Sequence, residues 1–191
     1  NCVSIDPRNG QIRFRFPFGK RGPTVNAANP LVIDRHLFLT ASYQIGAKLA
    51  KPDADVWVIV GDGGFQMTMC ELATLAQEKI KVNVAIINNG YLGMVRQWQE
   101  FFYERRYAAT PLLSPDFAKL ADAFGIRSAT VSRRQDVEPT IEMARAESGA
   151  VVMDFRVEQE DTVYPMVPAG ADLDEMIRRP SPSPIVETAD D

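Results

Sequence analysis

The chain contains little cysteine, and it lacks both a long apolar run and an excess of basic residues. Cys2 and Cys70 are too few for a disulfide framework, and a reducing cytoplasm fits this composition. No run of about 18 apolar residues exists, so we expect no membrane span. No basic start precedes an apolar core, so we expect no signal peptide. The net charge of −4 argues against nucleic acid as the main partner, because that role needs a basic face.

What is present suits one domain with an extra arm. Hydrophobic residues make up 46% of the 191 residues, which is enough for a proper core. Residues 1–44 are interrupted by prolines at 7, 17, 23 and 30, so we predict an irregular arm there. Residues 45–177 carry regular patterns and form the predicted domain. Residues 178–191 combine prolines, serines and acidic residues, and we predict a disordered tail.

Apolar patterns predict alternating strands and helices between residues 45 and 157. A helix is expected to begin at Gly63 or Gly64, and Cys70 within it is expected to be a small buried residue. Gly125 is expected to end another helix. This alternation predicts an α/β fold, a mostly parallel sheet with helices on both faces. The predicted strands cover 56–60, 82–87, 126–131 and 150–157, the other helices cover 115–124 and 136–147, and the apolar face after Gly64 comprises Met69, Leu72, Leu75 and Ala76.

The most informative feature is a pair of short glycine-containing motifs. Gly-Asp-Gly-Gly at 61–64 follows the first apolar run, and Asn-Asn-Gly at 88–90 follows the second, with 24 residues between Gly63 and Asn88. Ligands of open α/β sheets bind beyond the carboxyl ends of the strands, where both motifs fall. Either motif alone is an ordinary turn sequence. The pair, at this spacing and after two predicted strands, is much more specific.

These residue types suit a diphosphate bridged by Mg²⁺. Mg²⁺ prefers near-octahedral oxygen coordination and usually takes one or two carboxylates together with phosphate oxygens. One Asp and one Asn oxygen would leave the other positions to a backbone carbonyl, phosphate oxygens and a water. The glycines allow the backbone to approach the phosphates closely. A helix beginning at Gly63 or Gly64 would also direct free N–H groups at the anion.

The spacing resembles the signature of thiamine-diphosphate-dependent enzymes. Longer segments are similar to the C-terminal, diphosphate-binding domain of acetolactate synthase, also called the acetohydroxyacid synthase catalytic subunit. The resemblance runs from about residue 45 to about residue 177. The segments Gly93-Met94-Val95 and Gln97-Trp98 resemble this family more specifically than they resemble the wider superfamily. The similar segments are 61–71, 88–100, 102–107 and 165–177.

The resemblance implies a role for each motif residue. Asp62 and Asn89 would bind Mg²⁺ through side-chain oxygens, and Tyr91 would bind it through the backbone carbonyl. Met94 would support the aminopyrimidine ring of thiamine diphosphate. The glycines of the cofactor site would be Gly61, Gly63, Gly64 and Gly93.

Trp98 and Gln97 would line the substrate channel of the family. From the chemistry of the residue alone, core packing beside Phe101, Phe102 and Tyr103 explains Trp98 equally well. Residues 165–177 resemble the C-terminal arm that folds over the cofactor. No residue of this chain is assigned a catalytic role.

The implied reaction is decarboxylation of pyruvate and condensation with a second 2-oxo acid, on the route to branched-chain amino acids. In the family, the pyrimidine-binding domain supplies an activating glutamate from the partner subunit, and a middle domain binds FAD. Neither domain is found in this sequence. We therefore expect little or no activity from this chain alone. We expect it to act in the cytoplasm, within a homo-oligomer, with a pyrimidine domain from the same enzyme or a second chain. A regulatory subunit is left open.

One segment departs from the family, and two alternatives remain. The family has Gly-Thr-Met-Gly followed by Gly-Leu-Pro-Ala-Ala just before the residues that align with 45–48, whereas residues 35–44 here read RHLFLTASYQ. The first alternative is a β-type subunit of a split thiamine-diphosphate 2-oxo acid decarboxylase, whose length is similar. The second is a non-catalytic domain that kept the scaffold, which the altered segment supports.

Overall fold

The computed structural model describes residues 2–5, 12–16, 31–33, 36–39, 45, 48–49, 51–160 and 162–180. The strands are β1 (Cys2–Ile5), β2 (Ile12–Phe16), β3 (Leu31–Ile33), β4 (His36–Leu39), β5 (Asp55–Gly61), β6 (Asn83–Asn88), β7 (Arg127–Val131) and β8 (Val151–Arg156). The helices are α1 (Asp62–Gln66), α2 (Glu71–Gln77), α3 (Gly93–Phe102), α4 (Phe117–Ala123) and α5 (Val137–Ala146), with 3₁₀ turns at Arg134–Asp136 and Leu173–Glu175.

The main sheet has six strands in the order β3-β4-β5-β6-β8-β7. All neighbours from β4 to β7 in this order are parallel, and β3 pairs antiparallel with β4. Strands β1 and β2 form a separate antiparallel pair. The carboxyl ends of β5, β6 and β8 therefore lie side by side at one edge, where the last strand residues are Gly61, Asn88 and Arg156.

Apolar side chains alternate between the two faces of this sheet, as the pleat of a strand requires. One face packs against α1, α2 and α4, and the other packs against α5. Helices on both faces of a mostly parallel sheet confirm the predicted fold class. Central residues of the first face are Val58, Val84, Val152, Leu75 and Phe117, and those of the second are Trp57, Ala85, Met153 and Ala144.

The prediction of an irregular arm over residues 1–44 was wrong for its described part, which contains strands β1 to β4. The prolines at 7, 17, 23 and 30 lie between these strands in the sequence, so they separate short strands and do not prevent them. Strand β4 belongs to the main sheet, because it pairs in parallel with β5 from His36↔Asp55 to Leu39↔Val58. The boundary at residue 45 thus cuts through a continuous sheet.

The single helix predicted after Gly64 is two helices, α1 and α2, joined by a turn. Backbone bonds in this turn run three residues back, from Thr68 N to Phe65 O at 2.9 Å and from Glu71 N to Thr68 O at 3.0 Å. The Thr68 hydroxyl also donates to the Phe65 carbonyl at 3.4 Å. Such bonds tighten the backbone and compete with the α-helical pattern.

The break changes the surroundings of the residues in the turn. Leu72 and Leu75 are buried, as the predicted apolar face requires, and Ala76 packs against the same cluster. Met69 is partly exposed, and the Cys70 thiol is exposed as well. The expected burial of Cys70 was therefore wrong, because the turn carries this residue away from the face that Leu72 and Leu75 define.

The later elements follow the predicted pattern closely. The Asp116 side chain accepts a hydrogen bond from Lys119 N at 3.0 Å and caps α4. Gly125 follows that helix with φ +70°, which glycine adopts without strain. Within the described ranges, no helix has the length and apolar character needed to cross a membrane. Most of the predicted tail, from residue 181 onward, lies outside the described residues.

Candidate functional site

The two sequence motifs meet at the carboxyl edge of the sheet. Asp62 is the first residue of α1, directly after β5, and its side chain is buried. The backbone N–H of Gly90, just beyond the end of β6, donates to Asp62 Oδ2 at 3.1 Å. Because β5 and β6 are parallel neighbours, residues 28 positions apart in the chain are brought into direct contact.

The Asp62 carboxylate is anchored through one of its two oxygens. Oδ2 accepts from Gly90 N and also from Ser114 Oγ at 3.0 Å. Gln66, one helical turn along, donates from Nε2 to the same Ser114 hydroxyl at 3.3 Å. No hydrogen bond to Asp62 Oδ1 is found among the residues that the structure describes. A carboxylate held by one oxygen can offer the other oxygen to a cation without reorienting.

The turn that carries Asn89 and Tyr91 is held from several sides. Asn89 Oδ1 accepts from Tyr91 N at 3.1 Å, which closes an Asx-type turn. Gly90 has φ +70°, and its carbonyl accepts from Leu112 N at 2.8 Å. Leu92 N donates to Thr110 O at 2.9 Å. The described backbone hydrogen bonds leave the Tyr91 carbonyl unused, so the loop is fixed while this oxygen stays available.

The donor set suits Mg²⁺ better than a transition metal. In the described part of the chain, no group of three or more His, Cys, Asp or Glu side chains could hold a metal ion. The predicted ligand oxygens are one carboxylate (Asp62), one side-chain amide (Asn89) and one backbone carbonyl (Tyr91). Hard oxygen donors with few carboxylates match Mg²⁺ that is shared with phosphate oxygens.

Close packing explains why three of the four predicted cofactor glycines lack a side chain. A Cβ at Gly63 would lie 2.9 Å from Leu92 Cδ2 and 3.0 Å from Leu112 Cδ1. At Gly64 it would lie 3.1 Å from Val60 Cγ2, and at Gly93 it would lie 3.2 Å from Asn89 Nδ2. A Cβ at Gly61 would meet nothing within 4 Å among the described residues. Packing therefore requires glycine at Gly63 most strongly and does not require it at Gly61.

Behind the turn lies a buried polar pair that the sequence reasoning did not identify. Asn88 Nδ2 donates to Asp154 Oδ1 at 3.0 Å, and both side chains are buried. The guanidinium of Arg156 lies 2.8 Å from Asp154 Oδ2 as an ion pair. Burial raises the pKa of Asp154, and the Asn88 hydrogen bond and the Arg156 charge partly offset that effect.

Helix α3 holds the segment after β8 through two adjacent buried side chains. Gln97 Nε2 donates to Val163 O at 3.0 Å, and Gln97 Oε1 accepts from Val163 N at 2.8 Å. Arg96 donates to Gln159 O at 3.0 Å, and its guanidinium lies over the Tyr91 ring at 5.0 Å. The channel role of Gln97 stays a prediction. In the structure, both polar atoms of this side chain bind the backbone of the segment that carries the predicted C-terminal arm.

Met94 and Trp98 lie on the outer side of the same helix. Met94 is 55% exposed and Trp98 is 43% exposed. The Trp98 ring packs edge-on against Phe102, with centroids 5.3 Å apart. Core packing therefore does not account for Trp98. Both side chains are accessible to a ligand or to another protein domain, and their cofactor and channel roles stay predictions.

Sequence reasoning missed Asn88, Ser114 and Asp154 as parts of this edge. Asp154 had a visible signal, because a carboxylate within the apolar strand 151–155 needs a buried partner. Asn88 belongs to the motif, but the resemblance assigns the ligand role to its neighbour Asn89. Ser114 gave no signal, since a serine before a helix reads as an ordinary cap or loop residue.

A recess of about 570 Å³ lies at the opposite, amino edge of the sheet, between α2 and the turns that precede β7 and β8. Charged residues such as Lys79, Asp122 and Glu147 line it, and no motif residue does. Some buried side-chain atoms lack a hydrogen-bond partner among the described residues, but the residues that carry them do not line this recess. These atoms therefore give no sign of a ligand site there. The motif edge is therefore the candidate functional site.

Comparison with known proteins agrees with this geometry. Residues 39–155 match the family described as thiamine pyrophosphate enzyme, C-terminal TPP binding domain. An acetolactate synthase of Mycobacterium leprae (strain TN) is 51% identical over 138 residues, which are 69% of this chain and 22% of that protein. An acetolactate synthase of Arthrospira platensis is 45% identical over 135 residues, which are 70% of this chain and 23% of that protein.

A solved structure shares the fold. It is the thiamine diphosphate-dependent 4-hydroxybenzoylformate decarboxylase of Rhodococcus jostii RHA1, with a TM-score of 0.59 and 28% sequence identity. The match covers 62% of this chain and 23% of that one. The chain thus spans about a quarter or less of the length of these relatives.

Proposed function

Because the chain belongs to the thiamine pyrophosphate enzymes through their C-terminal TPP-binding domain, and is related to acetolactate synthases, we propose that it is the cofactor-binding domain of an acetolactate synthase-type enzyme. In this role it binds thiamine diphosphate through Mg²⁺ at the carboxyl edge of β5 and β6. The whole enzyme would decarboxylate pyruvate and join the remaining two-carbon unit to a second 2-oxo acid.

The observation that carries the proposal is the contact between Gly90 N and Asp62 Oδ2 at 3.1 Å. This contact brings the Gly-Asp-Gly motif and the Asn-Asn motif together in one site. Asp62 is anchored through Oδ2, and the Asn89 turn is closed by its own hydrogen bond to Tyr91 N. Mg²⁺ would be held by the Asp62 carboxylate, the Asn89 amide oxygen and the Tyr91 carbonyl.

The residues of this chain bind and orient, and the cofactor carries the chemistry. When bound, thiamine diphosphate supplies a nucleophilic carbon that can hold negative charge after CO₂ leaves. Gly63 and Gly93 keep side chains away from the diphosphate side of the site, where a Cβ would already crowd Leu92 or Asn89. Met94, exposed at the start of α3, would contact the aminopyrimidine ring. Trp98, exposed one turn later, would border the path of the second substrate.

The segment beyond β8 would shield this site from water. Its backbone is fastened to α3 by the paired hydrogen bonds of Gln97 with Val163. Further along, the backbones of Met166 and Ile177 exchange two hydrogen bonds, at 2.9 and 2.7 Å, and so close a loop. Excluding water strengthens electrostatic interactions inside a site and limits side reactions.

We propose that the chain works with a pyrimidine-binding domain, because the resemblance to acetolactate synthase implies that such a domain supplies the glutamate that activates the cofactor. The test is reconstitution: the chain is mixed with a separately produced pyrimidine domain, thiamine diphosphate, Mg²⁺ and pyruvate, and acetolactate is measured. The expected result is product from the mixture and little or none from the chain alone. Product formation by the chain alone would contradict this part of the proposal.

A second candidate is a subunit of a split 2-oxo acid decarboxylase. The observation that favours it is the structural likeness to a decarboxylase of the same cofactor class, at 28% identity. The same reconstituted mixture separates the two activities. Aldehyde as the main product from pyruvate would favour decarboxylation, whereas acetolactate would favour synthesis.

A further inference from the structure

Strand β6 begins and ends with a buried asparagine, and each asparagine binds an aspartate of a neighbouring strand. Asn83 Nδ2 donates to Asp55 Oδ1 at 2.9 Å, at the amino edge of the sheet. Asn88 Nδ2 donates to Asp154 Oδ1 at 3.0 Å, at the carboxyl edge. Asn83 is fully buried and Asn88 is 3% exposed. The two pairs therefore have the same chemistry and nearly the same length, and the pair at the carboxyl edge is the more deeply buried.

The two amide oxygens differ in what they bind. Asn83 Oδ1 is buried without a hydrogen-bond partner in the described part of the chain. Asn88 Oδ1 accepts the backbone N–H of Gly90 at 3.2 Å. That same N–H also donates to Asp62 Oδ2 at 3.1 Å. The pair at the carboxyl edge is thus connected to the turn that carries the proposed Mg²⁺ ligands, and the pair at the amino edge is not.

Asp154 determines which way the Asn88 amide points. An ionised carboxylate only accepts hydrogen bonds, so it must face the NH₂ group of Asn88 and not its oxygen. The amide oxygen is thereby directed toward Gly90 N. Asp154 itself is fully buried and is held by Arg156 at 2.8 Å. The backbone of Asn88 is fixed as well, because its carbonyl accepts from Val157 N at 3.0 Å.

We propose that Asn88 and Asp154 are positioning residues for the turn of residues 89–91, which carries two of the proposed Mg²⁺ ligands. They hold Gly90 in place, so that Asn89 and Tyr91 on either side of it present their oxygens together with Asp62. This inference rests on the proposed function for the identity of the metal and cofactor. The claim that the Asn88–Asp154 pair holds the turn in place depends only on contacts within the chain, and not on the metal or the cofactor.

The test compares Asn88→Ala with Asn83→Ala, since both changes remove an amide from the same strand and leave an aspartate without that partner. Hydrogen exchange of the Gly90 amide is measured by NMR in the ligand-free chain. Losing one acceptor should speed exchange of Gly90 in Asn88→Ala by about tenfold relative to amides of β7. Asn83→Ala should leave that ratio unchanged. Equal effects of the two variants would overturn the proposal.

A second pair of variants keeps the test decisive if Asn88→Ala does not fold. Asp154→Asn retains an oxygen that can accept from Asn88, whereas Asp154→Ala removes it. Gly90 exchange should stay within about twofold of wild type in Asp154→Asn and should rise about tenfold in Asp154→Ala. If the two variants exchange alike, Asp154 does not orient the turn.

The Mg²⁺ dependence of thiamine diphosphate binding then links the pair to the site. At fixed thiamine diphosphate, Asn88→Ala should need about tenfold more Mg²⁺ for half-saturation than wild type, and Asn83→Ala should need the same amount as wild type. An equal Mg²⁺ requirement in both variants would overturn the metal-positioning role. If wild type does not bind the cofactor with Mg²⁺, the proposed function fails, and Gly90 exchange still decides whether the pair holds the turn.

Discussion

The amino and carboxyl edges of the sheet contain similar polar groups that are used differently. At the amino edge, Asp55 accepts from Asn83 at 2.9 Å and from Trp57 Nε1 at 2.9 Å, and Lys81 donates to Ala144 O. These bonds tie strands and a helix to each other. At the carboxyl edge, Asp62 is anchored through one oxygen, and the adjoining turn leaves the Tyr91 carbonyl unused in the described backbone network.

This difference separates polar groups that support the fold from polar groups that serve a ligand. An aspartate that accepts a hydrogen bond from a buried asparagine is not by itself a sign of function, because Asp55 has such a partner at the amino edge as Asp154 has at the carboxyl edge. The informative feature is the Asp62 carboxylate, which is anchored through one oxygen while the other accepts no hydrogen bond from the described residues. It lies next to glycines where a Cβ would collide with neighbouring atoms. Substitutions at the two edges should therefore have different readouts, even when they remove the same chemical group.

The largest effect is expected from Asp62→Ala. Removing this carboxylate takes away the proposed Mg²⁺ ligand and one of the acceptors of Gly90 N, so Mg²⁺-dependent binding of thiamine diphosphate should be abolished. The matched control, Asp55→Ala at the amino edge, should reduce stability and leave binding intact. Calorimetric titration of both variants measures this. Unchanged binding in Asp62→Ala would show that the metal assignment is wrong.

A smaller effect is expected from added methyl groups. Gly63→Ala places a Cβ within 3.0 Å of two leucine side chains, whereas the Cβ of Gly149→Ala at the amino edge meets none of the described residues within 4 Å. Gly63→Ala should lower the free energy of unfolding by about 1–3 kcal/mol and weaken cofactor binding. Gly149→Ala should change it by less than about 0.5 kcal/mol. Urea unfolding tests both, and equal stabilities would mean that the crowding at Gly63 relaxes without cost.

Removing one hydrogen-bond donor to Asp62 and one donor to Asp55 should give a smaller difference between the two edges. Ser114→Ala removes the hydroxyl that donates to Asp62, and Trp57→Phe removes the indole N–H that donates to Asp55. Each loss should cost about 1–3 kcal/mol in free energy of unfolding. Only Ser114→Ala should also raise the Mg²⁺ concentration needed for cofactor binding, by about three- to tenfold. A Mg²⁺ shift in Trp57→Phe would mean that the two edges are coupled.

The smallest effect is a pH dependence from Asp154. Burial raises the pKa of this carboxyl above its unfolded value of 3.8, so the folded state holds its proton more tightly. Its contribution to stability is therefore fully present below the unfolded pKa and is lost as the pH rises through the folded pKa. Relative to Asp154→Asn, wild type should gain stability as the pH falls through the folded pKa of Asp154 toward its unfolded value of 3.8. A difference that is constant across this range would contradict the raised pKa.

The fold and the position of the candidate site could be predicted from the sequence. The residues that support the site from behind could be predicted less well. The apolar runs at 56–60 and 82–87 predict β5 and β6 nearly residue for residue, because a strand buried on both faces leaves a continuous apolar pattern. Gly125 likewise marks the end of α4. The turn after α1 was missed, because the side-chain bond of Thr68 to Phe65 O is not visible in a helical periodicity. Strands β1 to β4 were missed, because prolines between short strands resemble prolines within a loop.

The residues at the candidate site also fall into two groups, those that the sequence predicts and those that only the structure reveals. The meeting of the two motifs could be predicted from the spacing, since parallel strands bring their carboxyl ends together, and the ligand roles of Asp62 and Asn89 stay predictions. The residues that hold this edge together could not, because Ser114, which binds Asp62, comes from 52 residues further along the chain, and Asp154, which binds Asn88, comes from a strand 66 residues beyond it. Gln97 was predicted beside a channel from the resemblance, and its side-chain bonds to Val163 became visible only in the tertiary structure.

The most direct test of the central claim is a calorimetric titration of the chain with thiamine diphosphate, with Mg²⁺ and then with a chelator in its place. We predict saturable binding with Mg²⁺, no saturable binding with the chelator, and loss of the Mg²⁺-dependent heat in Asp62→Ala. Binding that is the same in Mg²⁺ and in chelator, or that Asp62→Ala leaves unchanged, would contradict a Mg²⁺-bridged diphosphate site at this edge of the sheet.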